Sequence, residues 1–146
     1  MDPAVQPVAA ARGARIIHAA LVIGQILVGA TFLFLLRELG RPLGGGSPLI
    51  GYAAAGLALV NLSVAFVLLR PRIPQRSTDQ SPDDYWSRTE VRGAAILIWA
   101  AVEGSGLVCW VGYVMSGNIV PAGVAVLSII TLIVLSPSRI DGDEGA

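Results

Sequence analysis

Gly93-Ala94-Ala95-Ile96-Leu97-Ile98-Trp99-Ala100-Ala101-Val102-Glu103-Gly104-Ser105-Gly106-Leu107-Val108-Cys109-Trp110-Val111-Gly112-Tyr113-Val114-Met115 is an almost unbroken apolar run, and its reading decides the fold. A helix rises about 1.5 Å per residue, so about 20 such residues match the roughly 30 Å hydrocarbon layer of a bilayer. A water-soluble domain would show short amphipathic stretches instead. One residue interrupts the pattern: Glu103, close to the middle of the run.

Three further apolar blocks lie at 16–36, 49–69 and 119–135, the last being the shortest. Over 146 residues, 54% are hydrophobic and only 14% charged, far from the balance of a soluble domain. The predicted fold is therefore all-α: an integral membrane four-helix bundle forming a single transmembrane domain over 1–146. Arg12 and Arg15 ahead of the first block resemble the charged start of a signal peptide. The apolar run behind them is too long for one and has no small-x-small cleavage signal, so it reads as a retained crossing.

Punctuation between the blocks agrees. Arg37-Glu38 and the glycines and prolines at 40–48 end the first crossing, and Arg70-Pro71-Arg72 ends the second. Residues 70–92 form a cytoplasmic linker, polar and proline-rich in its first part. Within it, Ser81-Pro82-Asp83-Asp84 is a helix start, with a capping hydroxyl, a proline suited to the first turn and two carboxylates at the positive end of the dipole. The third helix is predicted to run unbroken from there, with Tyr85 and Trp86 as aromatic anchors at the membrane surface. Ser116-Gly117-Asn118 makes a tight turn into the fourth crossing, and 136–146 is an acidic tail.

All ten basic residues are arginine, which with the Ala, Gly and Pro content suggests a GC-rich bacterial genome. Eight of them (Arg12, Arg15, Arg70, Arg72, Arg76, Arg88, Arg92 and Arg139) fall on the side of the termini and linker, against Arg37 and Arg41 on the other. The excess predicts a multi-pass protein of the inner or plasma membrane with both termini cytoplasmic.

Sliding Arg12-Gly13-Ala14 onto Arg92-Gly93-Ala94 also aligns Ile16 with Ile96, Ala20 with Ala100, Val22 with Val102, Gly24 with Gly104 and Leu27-Val28 with Leu107-Val108. The second helices agree more loosely, as in Ala55-Gly56-Leu57-Ala58 beside Ala122-Gly123-Val124-Ala125. This predicts a tandem duplication of a transmembrane hairpin, both copies in the same orientation.

Glu103 is the candidate site, because a carboxylate deep in an apolar span is costly unless protonated, paired or wet. Its counterpart in the first half is Ile23. Gln25, Asn61 and Ser128 lie at similar depth and are candidate hydrogen-bond partners. Two readings stay open: a site that binds and releases a proton or cation, or a protonated carboxyl that only fastens helices together. The small residues Ala100, Ala101, Gly104, Ser105 and Gly106 allow close helix contact, equally within one chain or between copies. His18 reads as an interfacial or hydrogen-bonded residue, Cys109 as a small lipid- or core-facing one, and Trp99, Trp110 and Tyr113 as lipid-facing bulk or surface anchors.

Zero net charge disfavours a nucleic-acid partner, and a single cysteine rules out an internal disulfide. No nucleophile–base pair, metal-ligand cluster or phosphate loop is visible, so neither an enzyme nor a cofactor is predicted. The predicted partners are the lipid bilayer and copies of the chain or another membrane complex.

Arg88-Thr89-Glu90-Val91-Arg92 leading into Ala100-Ala101-Val102-Glu103-Gly104-Ser105-Gly106-Leu107-Val108 resembles the carboxylate-bearing helix of rotary ATPase c subunits, the proteolipids. A duplicated hairpin with one carboxylate is similar to the vacuolar-type members, four-helix proteins assembled into rings. The resemblance implies that Glu103 alone carries the ion. That family sets its carboxylate on the second helix of a hairpin, whereas Glu103 is on the first helix of the second hairpin, which implies a relative outside the working rotor. The expected role is a small accessory or structural membrane protein, with proton or cation handling as the alternative.

Overall fold

A computed structural model describes residues 7–142, all of whose regular structure is helical. Helix α1 runs Pro7–Leu39 and ends where Gly40 takes a left-handed φ of 62° and its N–H bonds the Leu36 carbonyl. Helix α2, Pro48–Val64, starts on a Ser-Pro pair and ends through a wide π-helical turn (Ala65–Leu69) and a tight 3-10 turn (Arg70–Arg72). Pro71 accounts for that ending: it has no N–H to donate, and its ring would collide with the carbonyl of the preceding turn.

Three helical stretches, Ala10–Leu39, Pro48–Arg72 and Thr89–Ser116, are long and apolar enough to cross a membrane. Four crossings are predicted from the sequence, and the fourth apolar helix, α5 (Ile119–Val134), falls short at 16 residues. At about 1.5 Å per residue that is roughly 24 Å, less than the hydrocarbon layer.

The start of the third helix is also corrected. Ser81 does cap it, its hydroxyl accepting from Asp84 N at 3.1 Å, but the helix it opens, α3, spans only Pro82–Ser87. Arg88 is extended (φ −70°, ψ 124°), and α4 begins afresh at Thr89–Ser116. The break turns Tyr85 and Trp86 inward, where both are fully buried between α1 and α4 instead of standing as surface anchors. Burying two large aromatic rings against neighbours outweighs the interhelical turn that is lost.

Helix α4 is the centre of the bundle. Helix α5 returns antiparallel to it through Gly117, left-handed at φ 68°, and Asn118, which caps α5 by accepting from Val120 N at 2.9 Å. Helix α2 packs antiparallel on another side and α1 parallel on a third, while α1 and α2 do not pack along one another. The loop joining them crosses the end of α4, where Leu43 and Gly44 donate their N–H groups to the Val114 and Met115 carbonyls at 3.1 and 2.9 Å. Carbonyls that a helix end leaves without partners are thereby satisfied.

Two close approaches fix the spacing. A side chain at Gly112 would overlap Ala54 on α2, and one at Gly29 would overlap the Trp110 ring. Trp99 and Trp110, expected as lipid-facing bulk or surface anchors, are instead buried, and Cys109 takes the core-facing one of its two expected positions. The packing lends the expected duplication no support: α4 and α5 form a closed hairpin, whereas α1 and α2 straddle it. The aligned helices α1 and α4 nevertheless run side by side, with His18 beside Trp99, Gln25 beside Gly106 and Gly29 beside Trp110.

Candidate functional site

The polar residues predicted to share one depth form two separate clamps around α4. In the first, Gln25 on α1 is completely buried and donates its amide Nε2 to Ser128 Oγ on α5 at 3.3 Å. Ser128 in turn donates to the Val102 carbonyl of α4. Gly106 makes this possible, because any Cβ there would occupy the place of the Gln25 amide. In the second, Asn61 on α2 donates to the Ala101 carbonyl at 2.8 Å and to Ser105 Oγ at 2.9 Å. One polar side chain per neighbouring helix thus reaches the same two turns of α4, where backbone carbonyls are otherwise committed to the helix ladder.

Glu103 belongs to neither clamp. It is half-buried, and among the described residues it has no hydrogen bond or ion pair. At 100° per residue it lies on the side of α4 that carries Ile96, Trp99 and Trp110, at the edge of the contact with α1. Its other flank, Ala100 and Gly104, is small and open, and a Cβ at Gly104 would meet nothing within 4 Å. The structure therefore brings Gln25 to Ser128 and Asn61 to Ser105, and none of them to the carboxylate.

A second cluster, missed in the sequence, closes the end of the bundle where α1 begins and α5 stops. His18 Nε2 donates to the Leu132 carbonyl at 2.8 Å, which fixes the proton on that nitrogen because a carbonyl only accepts. Trp99 Nε1 donates to the Leu135 carbonyl at 2.8 Å, so two side chains satisfy the end of α5. The rings meet as well: His18 sits edge-on to Trp99 at 5.1 Å, and Trp86 stacks on Trp99 at 6.0 Å. A short helix α6, Pro137–Asp141, then folds back so that Asp141, almost fully buried, accepts from Trp86 Nε1 at 2.8 Å.

Asp141 stands in what reads as a solvated acidic tail; Asp143 and Glu144, further along it, lie outside the described residues. One signal was available. Ser136-Pro137 repeats the Ser-Pro pair that opens α2 and α3, and marks a new helix at the start of the tail.

Tyr85 completes the cluster, donating its hydroxyl to the Pro74 carbonyl at 2.6 Å. Burial, and after it the charge of Asp141, raise its ionisation above the ordinary value of 10.0. A folded-state value above the unfolded one means stability that is intact below pH 10 and is lost as pH rises beyond it. Ultraviolet difference titration is expected to show one late-ionising tyrosine, absent in Tyr85→Phe; an unchanged titration curve would show that this hydroxyl is not held as described.

Among the described residues no three His, Cys, Asp or Glu side chains gather as a metal site. Comparison with protein-family models, curated proteins and solved structures finds no significant match for this chain.

Proposed function

We propose that this chain is a multi-pass membrane protein of accessory or structural role, with four crossings, both termini and the 70–92 segment on the cytoplasmic side, and lipids and other membrane-embedded helices as its partners. Three long apolar helices support insertion, as do large apolar side chains such as Leu27, Phe34, Leu57 and Val67, which stand more than half exposed around the bundle. The short α5 is accommodated by local thinning of the bilayer and by neighbours on several sides. The observation that carries the structural role is the use of the buried polar groups: Gln25, Ser128 and Asn61 fasten helices to α4, and among the described residues none of them bonds to Glu103.

A second reading, proton or cation handling by Glu103 as in the c subunits that its surroundings resemble, is favoured by the carboxylate's half-exposed position without a partner. Glu103→Gln separates the two. In liposomes, the variant is expected to assemble as the parent does and to leave proton flux unchanged. Loss of flux from a variant that still assembles would instead establish the second reading.

A further inference from the structure

Between the first turns of α1 and α4 lies a cleft of about 90 Å³, next to the aromatic cluster. Gly13 and Ile17 form one wall and Ile96 the other, the indoles of Trp86 and Trp99 form the floor, and Arg92 stands at the mouth. The space beside Gly13 is open, and a Cβ at that position would meet nothing within 4 Å. The floor offers hydrocarbon only: Trp86 Nε1 is committed to Asp141 and Trp99 Nε1 to the Leu135 carbonyl.

The rim has the opposite character. Arg92 is exposed, and the ion pair described beside it, Arg88 with Glu90 at 3.3 Å, does not include it. Arg12, also exposed, precedes Gly13 on the facing helix. An apolar slot with cationic residues at its mouth complements a molecule with a hydrocarbon chain and an anionic head. A small soluble anion would gain nothing from the tryptophans, and a neutral chain nothing from Arg92.

We infer that this cleft is a binding site for an anionic phospholipid of the surrounding bilayer, its phosphate at Arg92 and the upper part of one acyl chain in the slot between Gly13, Ile17 and Ile96, above the buried rings of Trp86 and Trp99. The site rests on the membrane reading above, which puts the cleft at headgroup level on the arginine-rich face. Basic recesses between helix ends on that face are where anionic headgroups are held.

The test uses the full chain in phosphatidylcholine vesicles carrying a small fraction of lipid with brominated acyl chains, which quench nearby indoles. A Trp110→Phe background leaves Trp86 and Trp99 as the reporters. Brominated phosphatidylglycerol is expected to quench them at about a fivefold lower mole fraction than brominated phosphatidylcholine, the enrichment that one arginine near the surface provides. Arg92→Gln should bring the two lipids level. Gly13→Leu should fill the slot and weaken quenching by both, with helix content and unfolding midpoint unchanged.

Equal quenching by the two lipids in the parent, or quenching by phosphatidylglycerol that Gly13→Leu leaves intact, overturns the site. So does relief of the quenching by soluble glycerol phosphate, which would identify a free-anion site instead. Failure of the membrane reading is distinguishable, because the chain would then not float with the vesicles at all.

Discussion

Trp99→Ala is expected to cost about 3–5 kcal/mol and to open the end of the bundle, the loss typical of truncating a fully buried tryptophan. Three separate structures meet on this ring. It stacks on Trp86, meets His18 in a T-shaped contact, and its N–H caps the last turn of α5. Trp86, the ring stacked on it, is tethered by its bond to Asp141 and is not free to shift into the space. Detergent unfolding followed by circular dichroism gives the loss, and tryptic cleavage at Arg88 and Arg139 should quicken as α3 and α6 come away. Trp99→Phe keeps an aromatic ring against Trp86 but loses the bond to Leu135 and part of the buried volume, so it should cost less, about 1–3 kcal/mol. If Trp99→Ala unfolds within 1 kcal/mol of the parent, the cluster is not what holds this end closed.

Gly112→Ala is expected to destabilise the bundle by about 1–3 kcal/mol although it adds a single methyl group. The new carbon would overlap the Ala54 side chain, which is a Cβ fixed to the α2 backbone and cannot rotate away. Relief requires α2 to move off α4, and that movement pulls Asn61 from Ala101 and Ser105 and Gly51 from Ser116 and Asn118. The clash belongs to a pair, so the pair can be reversed: Ala54→Gly in the same chain should restore most of the loss. Restoration by a glycine on any other helix face would show that the damage is not this contact. The unfolding midpoints of the two single variants and the double variant decide the matter.

Apolar run length made the long helices readable, and Gly117-Asn118 made the turn between α4 and α5 readable, because both depend on local chemistry alone. The neighbours of α4 were not readable in this way. An expected duplication of the hairpin suggests two like units, but Gly112 and Ala54 decide that α2 nestles against α4, and nothing local to either residue names the other. The break at Arg88 was hidden for the same reason. Ser81-Pro82-Asp83-Asp84 announces a helix correctly, and only the distant stack of Trp86 on Trp99 shows why it stops after Ser87. Of the candidate site, the polar residues were legible as helix-joining groups. Their pairing was not, because depth along a helix says nothing of direction around it: Gln25 and Ser128 face each other, while Glu103 points to another side of α4.

The straddling of α4 and α5 by the first two helices has a bearing on how the chain is made. Synthesis delivers α1 and α2 first, yet the surfaces they fit belong to segments that emerge later, and the loop between them ends on carbonyls of a helix not yet present. The half-finished chain is an open fork whose tines wait for their wedge. The contacts that hold the first two helices against α4 and α5 therefore form only once the second hairpin has been made, and a chain that stops before it lacks every one of them.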